Sequence, residues 1–139
     1  MSITIRPAEP DDLREILRLW ADADAEPTST DDLDALRTLH DTDPEACLVA
    51  VDDAVIVGSI VAAWDGWRGH LHRLAVAPSR RREGIARALI NEAERRLADR
   101  GARRIAVITV EGEDAAEALW EAAGYAAQAG RNRHVKNLG

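Results

Sequence analysis

Leu74-Ala75-Val76-Ala77-Pro78-Ser79-Arg80-Arg81-Arg82-Glu83-Gly84-Ile85-Ala86-Arg87-Ala88-Leu89-Ile90 decides the fold class of this chain. An apolar run, a proline stop, consecutive arginines and one glycine lead into a segment whose Ile85, Leu89 and Ile90 recur at helical spacing. The reading is a strand that passes through a basic loop into an amphipathic helix. The first turn of such a helix has N–H groups without intrahelical partners and a partial positive charge, so an anion is stabilised there. Gly84 lets the backbone approach that anion, and Arg80, Arg81 and Arg82 add charge-assisted donors for phosphate oxygens. Taken alone, the stretch also reads as an ordinary strand-to-helix connection with solvated arginines. A Walker-type loop is excluded because no Gly-Lys-Ser/Thr follows. A dinucleotide fingerprint is excluded as well, since Gly84 stands alone where that motif needs three glycines.

Upstream, Ile3 and Ile5 alternate with polar neighbours in a first strand that Pro7 ends. Pro10, Asp11 and Asp12 start a helix carrying Leu13, Ile16, Leu17 and Trp20, and a loop over 21–30 precedes a second helix that begins at Asp31. Residues 47–51 and 54–63 read as strands joined by Asp52-Asp53, a hairpin turn without the favoured glycine. After the turn Asp65-Gly66-Trp67-Arg68-Gly69 comes a strand over 70–77, whose alternation predicts His70 and His72 on one face with Leu74 and Val76. Downstream, a helix over 83–100 pairs Glu92 with Arg96 and stops at Gly101, a strand covers 105–110, and a helix over 113–122 stops at Gly124. Tyr125 onward reads as extended, with a last strand near the C-terminus. The order predicts the α/β class: a mixed, mostly antiparallel twisted sheet with about four helices, in one domain over 1–139.

A chain of 139 residues can bury one complete core. It has no basic-then-apolar leader and no apolar run near the ~20 residues that cross a bilayer, so the expectation is a cytoplasmic protein without a membrane partner. The single cysteine, Cys47, forms no internal disulfide and reads as a small buried hydrophobe. No metal is expected, because the histidines and Cys47 show no ligand spacing. A formal net charge of −7 argues against non-specific nucleic-acid binding. The charge is uneven. Asp22, Asp24, Glu26, Asp31, Asp32, Asp34, Asp41, Asp43, Glu45, Asp52 and Asp53 face only Arg37 in that region, while basic residues gather over 80–104. The acids read either as a funnel for a cationic amine or as a solvated surface.

The spacing Arg81-x-x-Gly84-x-Ala86 after Val76-Ala77-Pro78 resembles the acetyl-CoA signature of the GNAT superfamily of N-acetyltransferases, Gln/Arg-x-x-Gly-x-Gly/Ala. The likeness runs from Ile3-Thr4-Ile5-Arg6-Pro7-Ala8 to Leu119-Trp120-Glu121-Ala122-Ala123-Gly124-Tyr125. It implies the GNAT fold, a sheet that splays between its fourth and fifth strands, and acetyl transfer from acetyl-CoA to a small-molecule or peptide amine, with CoA as product. The resemblance places the cofactor on Leu74, Ala75, Val76, Arg81, Arg82, Glu83, Gly84, Ile85, Ala86 and Arg87. Leu74 and Val76 would pair with the pantetheine arm through their main chain, and an N–H near Val76 would polarise the thioester carbonyl.

Many relatives carry Glu where His72 stands, which implies His72 as base; the other reading is a structural or surface histidine. Trp120 occupies the place of a tyrosine that protonates the departing thiolate, and indole can donate a hydrogen bond but not readily a proton. Tyr125 reads as a core aromatic. Glu113 stands where relatives often have an Asn that contacts the cofactor, and is expected to point outward. The acceptor is expected from the side of the first two helices. Two alternatives stay open: a CoA-binding sensor without turnover, and a nucleic-acid module built on Arg80 to Arg82, Arg131 and Arg133. An edge strand near the C-terminus would allow a homodimer.

Overall fold

The computed structural model describes residues 3–23, 27–109 and 112–138. These fall into two compact units, Met1–Ile108 and Thr109–Gly139. The first unit holds β1 (Thr4–Pro7), α1 (Leu13–Asp22), α2 (Leu33–Thr42), β2 (Cys47–Asp52), β3 (Val55–Trp64), β4 (Gly69–Val76), α3 (Ile85–Asp99) and β5 (Ile105–Val107). Short 3-10 turns at Pro10–Asp12 and Pro78–Arg80 lead into α1 and follow β4. The strands form one sheet in the order β1-β2-β3-β4-β5, antiparallel except for the parallel β4–β5 pair. The expected mixed, mostly antiparallel sheet is the one observed.

The two faces of the sheet are told apart by adjacent residues of β3. A Cβ at Gly58 would lie 3.0 Å from Ile85 Cγ2 and Leu89 Cδ1, so that face carries α3. Ser59, one residue on, is fully buried and accepts a 2.9 Å hydrogen bond from Trp20 Nε1, so the other face carries α1. The α1 face is a cluster in which Leu13, Ile16, Leu19, Trp20 and Leu36 meet Cys47, Val49, Val61 and Ala75. On the other face α3 buries Ile85, Leu89, Ile90, Ala93 and Leu97, the stripe that its periodicity predicts. At Gly69 a Cβ would fall 2.8 Å from Leu97 Cδ1, so a larger residue there would make the Leu97 side chain shift. The pairing of Ile56 with Val51 is shifted by a bulge, and the Ile56 N–H goes to Glu15 Oε2 at 2.9 Å.

In the second unit, α4 (Asp114–Ala122) ends in a Schellman turn. Gly124 takes φ +96, the Tyr125 N–H donates to the Trp120 carbonyl at 2.9 Å, and the Gly124 N–H to that of Glu121 at 2.9 Å. The Trp120 and Tyr125 rings meet edge to face, centroids 5.1 Å apart, which is the apolar contact that accompanies this cap. Beyond it, residues 125–138 form no strand among the described residues, contrary to the expected last strand. Residues 126–134 contain no β-branched side chain to favour one. The expected strand over 105–110 is shorter, ending at Val107; Val110 lies outside the described residues, as do Asp24 and Glu26. Among the described residues no helix is long and apolar enough to cross a membrane.

Candidate active site

The centre of the site is a bulge in β4. Val61 pairs with His72 and Ser59 with Ala75, so Ile60 of β3 stands opposite both Arg73 and Leu74. Arg73 absorbs the extra residue with φ +52, a left-handed conformation that costs a non-glycine residue about 1–2 kcal/mol. The bulge reverses the alternation downstream of it. His70 and His72 pair with Ala63 and Val61 and therefore point to the α1 face, with ring centroids 6.3 Å apart. Val76 pairs with Gly58 and points to the α3 face. The expectation that both histidines share a face with Leu74 and Val76 is thus corrected. Two successive polar residues, His72-Arg73, were the one interruption of the apolar rhythm that marked the bulge.

The same strand has an open edge. Parallel pairing with β5 stops at Leu71–Val107, so β4 has no strand partner on that side from His72 to Val76 among the described residues. Ala77 donates its N–H to the Val57 carbonyl of β3 at 2.8 Å. Backbone groups alternate along a strand, so those of Ala75 also face β3, while the N–H and C=O of Leu74 and Val76 face the open edge. Ala75 itself is buried and offers its side chain to the α1 face.

Past Pro78 the chain reaches α3, which begins at Ile85 rather than at Glu83. Gly84 is its N-cap at φ +83, and nothing lies within 4 Å of where a Cβ would stand. Among the described residues no side chain caps this helix end, and its first internal bond runs from the Ala88 N–H to the Gly84 carbonyl. The N–H groups of Ile85, Ala86 and Arg87 precede that bond and have no helical acceptor. Arg80 is not a mobile donor as expected: it is held by Asp52 at 2.8 Å and by Glu83 at 3.0 Å. That contact also turns the Glu83 carboxylate toward Arg80. Arg81 and Arg82 are exposed and pair with no carboxylate among the described residues.

Residues 12–125 match the acetyltransferase (GNAT) family. The chain belongs to this family. An acetyltransferase of Yersinia pestis is 36% identical over 125 residues, covering 89% of this chain and 88% of the relative. Among solved structures, Ard1 from Thermoplasma volcanium superposes with a TM-score of 0.84 at 21% identity, over 93% of this chain and 86% of that one. The NatC complex bound to Gag peptide and CoA superposes with a TM-score of 0.78 at 27% identity, over 88% and 84%.

Within the GNAT fold the most consequential residue that sequence reading missed is Arg73. Its guanidinium makes a close ion pair with Asp31, with Nε 3.1 Å from Oδ1, and lies 5.7 Å over the Trp20 ring. Asp31 belongs to the connection between α1 and α2, so the pair ties that connection to the bulge beside His72. Other acids of the supposed funnel are also engaged: Asp32 caps α2 through the Ala35 N–H, Asp43 pairs with Arg100, and Glu45 with Arg96. His72 is exposed, whereas His70 is half-buried with Nε2 3.2 Å from Asp65 Oδ2. Cys47 is buried, and loss of solvent together with the Asp12 charge pushes its thiol up to about 12. Glu113 is exposed and Trp120 belongs to the cap of α4.

Proposed function

We propose that this chain transfers the acetyl group of acetyl-CoA to a primary amine by direct attack of the amine on the thioester. The observation that carries the reading is the continuity of unpaired backbone: the open edge of β4 at Leu74 and Val76, then the uncapped first turn of α3 at Gly84. Among the described residues both sets of polar groups lack secondary-structure partners along the path that a pantetheine arm ending in a diphosphate would follow, so the residues present fit that group. Leu74 and Val76 would hold the arm as an added strand, with the buried Ala75 keeping them in register. The N–H groups of Ile85, Ala86 and Arg87, with the Arg81 and Arg82 guanidinium groups, would hold the diphosphate. Glu83 contributes backbone only, since its carboxylate answers Arg80.

When bound, acetyl-CoA supplies an activated acetyl group, and the transfer forms a C–N bond as the C–S bond breaks. The Val76 N–H would polarise the carbonyl oxygen. His72 serves as base: its exposed imidazole, on the face toward α1 and α2, takes the proton lost by the attacking nitrogen, directly or through water. Trp120, at the place in the chain where the family's tyrosine stands, has no acidic proton to give, and a thiol pKa near ~8.5 lets the thiolate leave without a strong acid. The alternative, a CoA-binding module without turnover, rests on Trp120 standing where the family carries a tyrosine.

Calorimetry with CoA and thiol release against a panel of small amines and peptides tests both readings. Turnover with at least one amine, falling about 10²-fold in His72→Ala across the pH range, is expected. Tight CoA binding with no thiol release from any amine would favour the binding module, and an unchanged His72→Ala profile would remove His72 from the chemistry.

A further inference from the structure

At the end of β4 away from the Pro78–Arg80 turn lies a second, differently built cleft of about 540 Å³, lined by Trp64, Trp67, Arg68, Arg100, Arg103 and Arg104. One wall is the β3–β4 turn, in which Asp65 Oδ1 accepts the N–H groups of Trp67 and Arg68 at 2.8 and 2.7 Å. The other is the turn after α3, where Gly101 takes φ +108 and the Ala102 N–H returns to the Leu97 carbonyl at 3.0 Å. The walls are joined by backbone, because Gly69 pairs with Ile105 and donates its N–H to the Arg104 carbonyl at 3.0 Å. Main chain thus fixes both sides of this cleft, which is open to solvent rather than enclosed.

Its lining combines two chemistries that folding alone does not require. Trp67 is 69% exposed, with the Arg68 guanidinium 3.9 Å over its ring. Arg103 and Arg104 are exposed and pair with no carboxylate among the described residues, in a chain whose net charge is −7. Asp65 stands on the rim, but its oxygens answer the turn amides and His70. The Arg68 and Trp67 N–H groups hold that carboxyl below its ordinary range. An acidic peptide would engage the arginines and leave the indole idle; an apolar ligand would do the reverse and desolvate the guanidinium groups. A planar base stacked on the face of the indole opposite Arg68, with a phosphate on the arginine forks, satisfies both. We propose that this cleft binds a phosphorylated nucleobase, as a free nucleotide or as an unpaired nucleotide of a single strand.

Titration of GMP into the full chain tests this. GMP should bind saturably, inorganic phosphate at least about fivefold more weakly, the low end of what base–aromatic stacking contributes, and guanosine more weakly for want of the phosphate–guanidinium pairs. Trp67→Ala and the double variant Arg103→Ala/Arg104→Ala should each weaken GMP by at least about fivefold while Trp67→Phe retains binding. The CoA titration and thermal midpoint of all three should match the parent. A short single-stranded RNA that competes with GMP assigns the ligand to a strand, and one that does not assigns it to the free nucleotide. Absence of saturable GMP binding, or indifference to Trp67→Ala, would overturn the proposal. So would an acidic peptide or a second copy of the chain occupying the cleft in preference to GMP.

Discussion

Arg73 carries opposing terms in one residue. Its left-handed backbone is unfavourable for an L side chain, yet its guanidinium meets Asp31, whose carboxylate is largely shielded from solvent, and covers Trp20. Both Arg73→Ala and Arg73→Gly remove the pair, but only glycine relieves the backbone. In denaturant unfolding, Arg73→Gly should be more stable than Arg73→Ala by about 1 kcal/mol, with both less stable than the parent. Equal stability of the two variants would mean that the bulge relaxes when the side chain goes. At the same scale the sequence was readable for Cys47 as a buried hydrophobe, whereas Gly84, read within a helix beginning at Glu83, is the N-cap of a helix that begins at Ile85. It was not readable for Arg80, because whether an arginine in a basic run faces solvent or a carboxylate depends on Asp52, on another strand.

Among the elements, the β2–β3 hairpin shows what the missing glycine means. Asp53 and Ala54 both take positive φ, +50 and +64, between the paired residues Asp52 and Val55, which is a type I′ turn made without glycine. Ala54→Gly should therefore raise stability by about 1 kcal/mol, visible as an upward shift of the thermal midpoint. A downward shift would show that unfolded-state entropy outweighs the relieved strain. On α3, the sequence pairing of Glu92 with Arg96 is observed at 3.1 Å, joined by Arg95 at 2.7 Å. Chiefly the Arg95 hydrogen bond, then that of Arg96, lowers the Glu92 carboxyl from 4.5 to about 2. A depressed folded pKa means that this stabilisation is complete above pH 4.5 and disappears as pH falls toward about 2. The stability gap between parent and Glu92→Gln, about 1 kcal/mol or less for so exposed a network, should shrink over that window. A gap that does not change with pH would mean that the charge of Glu92 contributes nothing.

At the scale of the whole molecule, the uneven charge of the sequence is largely resolved by pairing across distance. Arg73, Arg80, Arg96 and Arg100 reach Asp31, Asp52, Glu45 and Asp43, so the acidic region and the basic region neutralise one another. Asp34, Asp41 and Asp53 remain exposed without a basic partner among the described residues, which leaves a weaker pull on a cationic acceptor than composition implied. The buried Cys47, on β2 beneath α1, gives a probe of the first unit as a body. Its thiol should react with a disulfide reagent only at the rate of global opening, and the rate should rise in parallel with denaturant unfolding. Fast labelling under native conditions would show that α1 lifts from the sheet independently.

What the amino-acid sequence determined by itself was the series of elements as far as α4, the sheet class and the basic loop before α3, because periodicity, proline stops and helix ends are written within a few residues of one another. The bulge at Arg73, the face to which His72 turns, the open edge at Leu74 and Val76, and the partners of each acid were decided only by the tertiary structure. Each depends on the register between strands, or on contacts between residues distant in the chain, and neither leaves a local pattern to read.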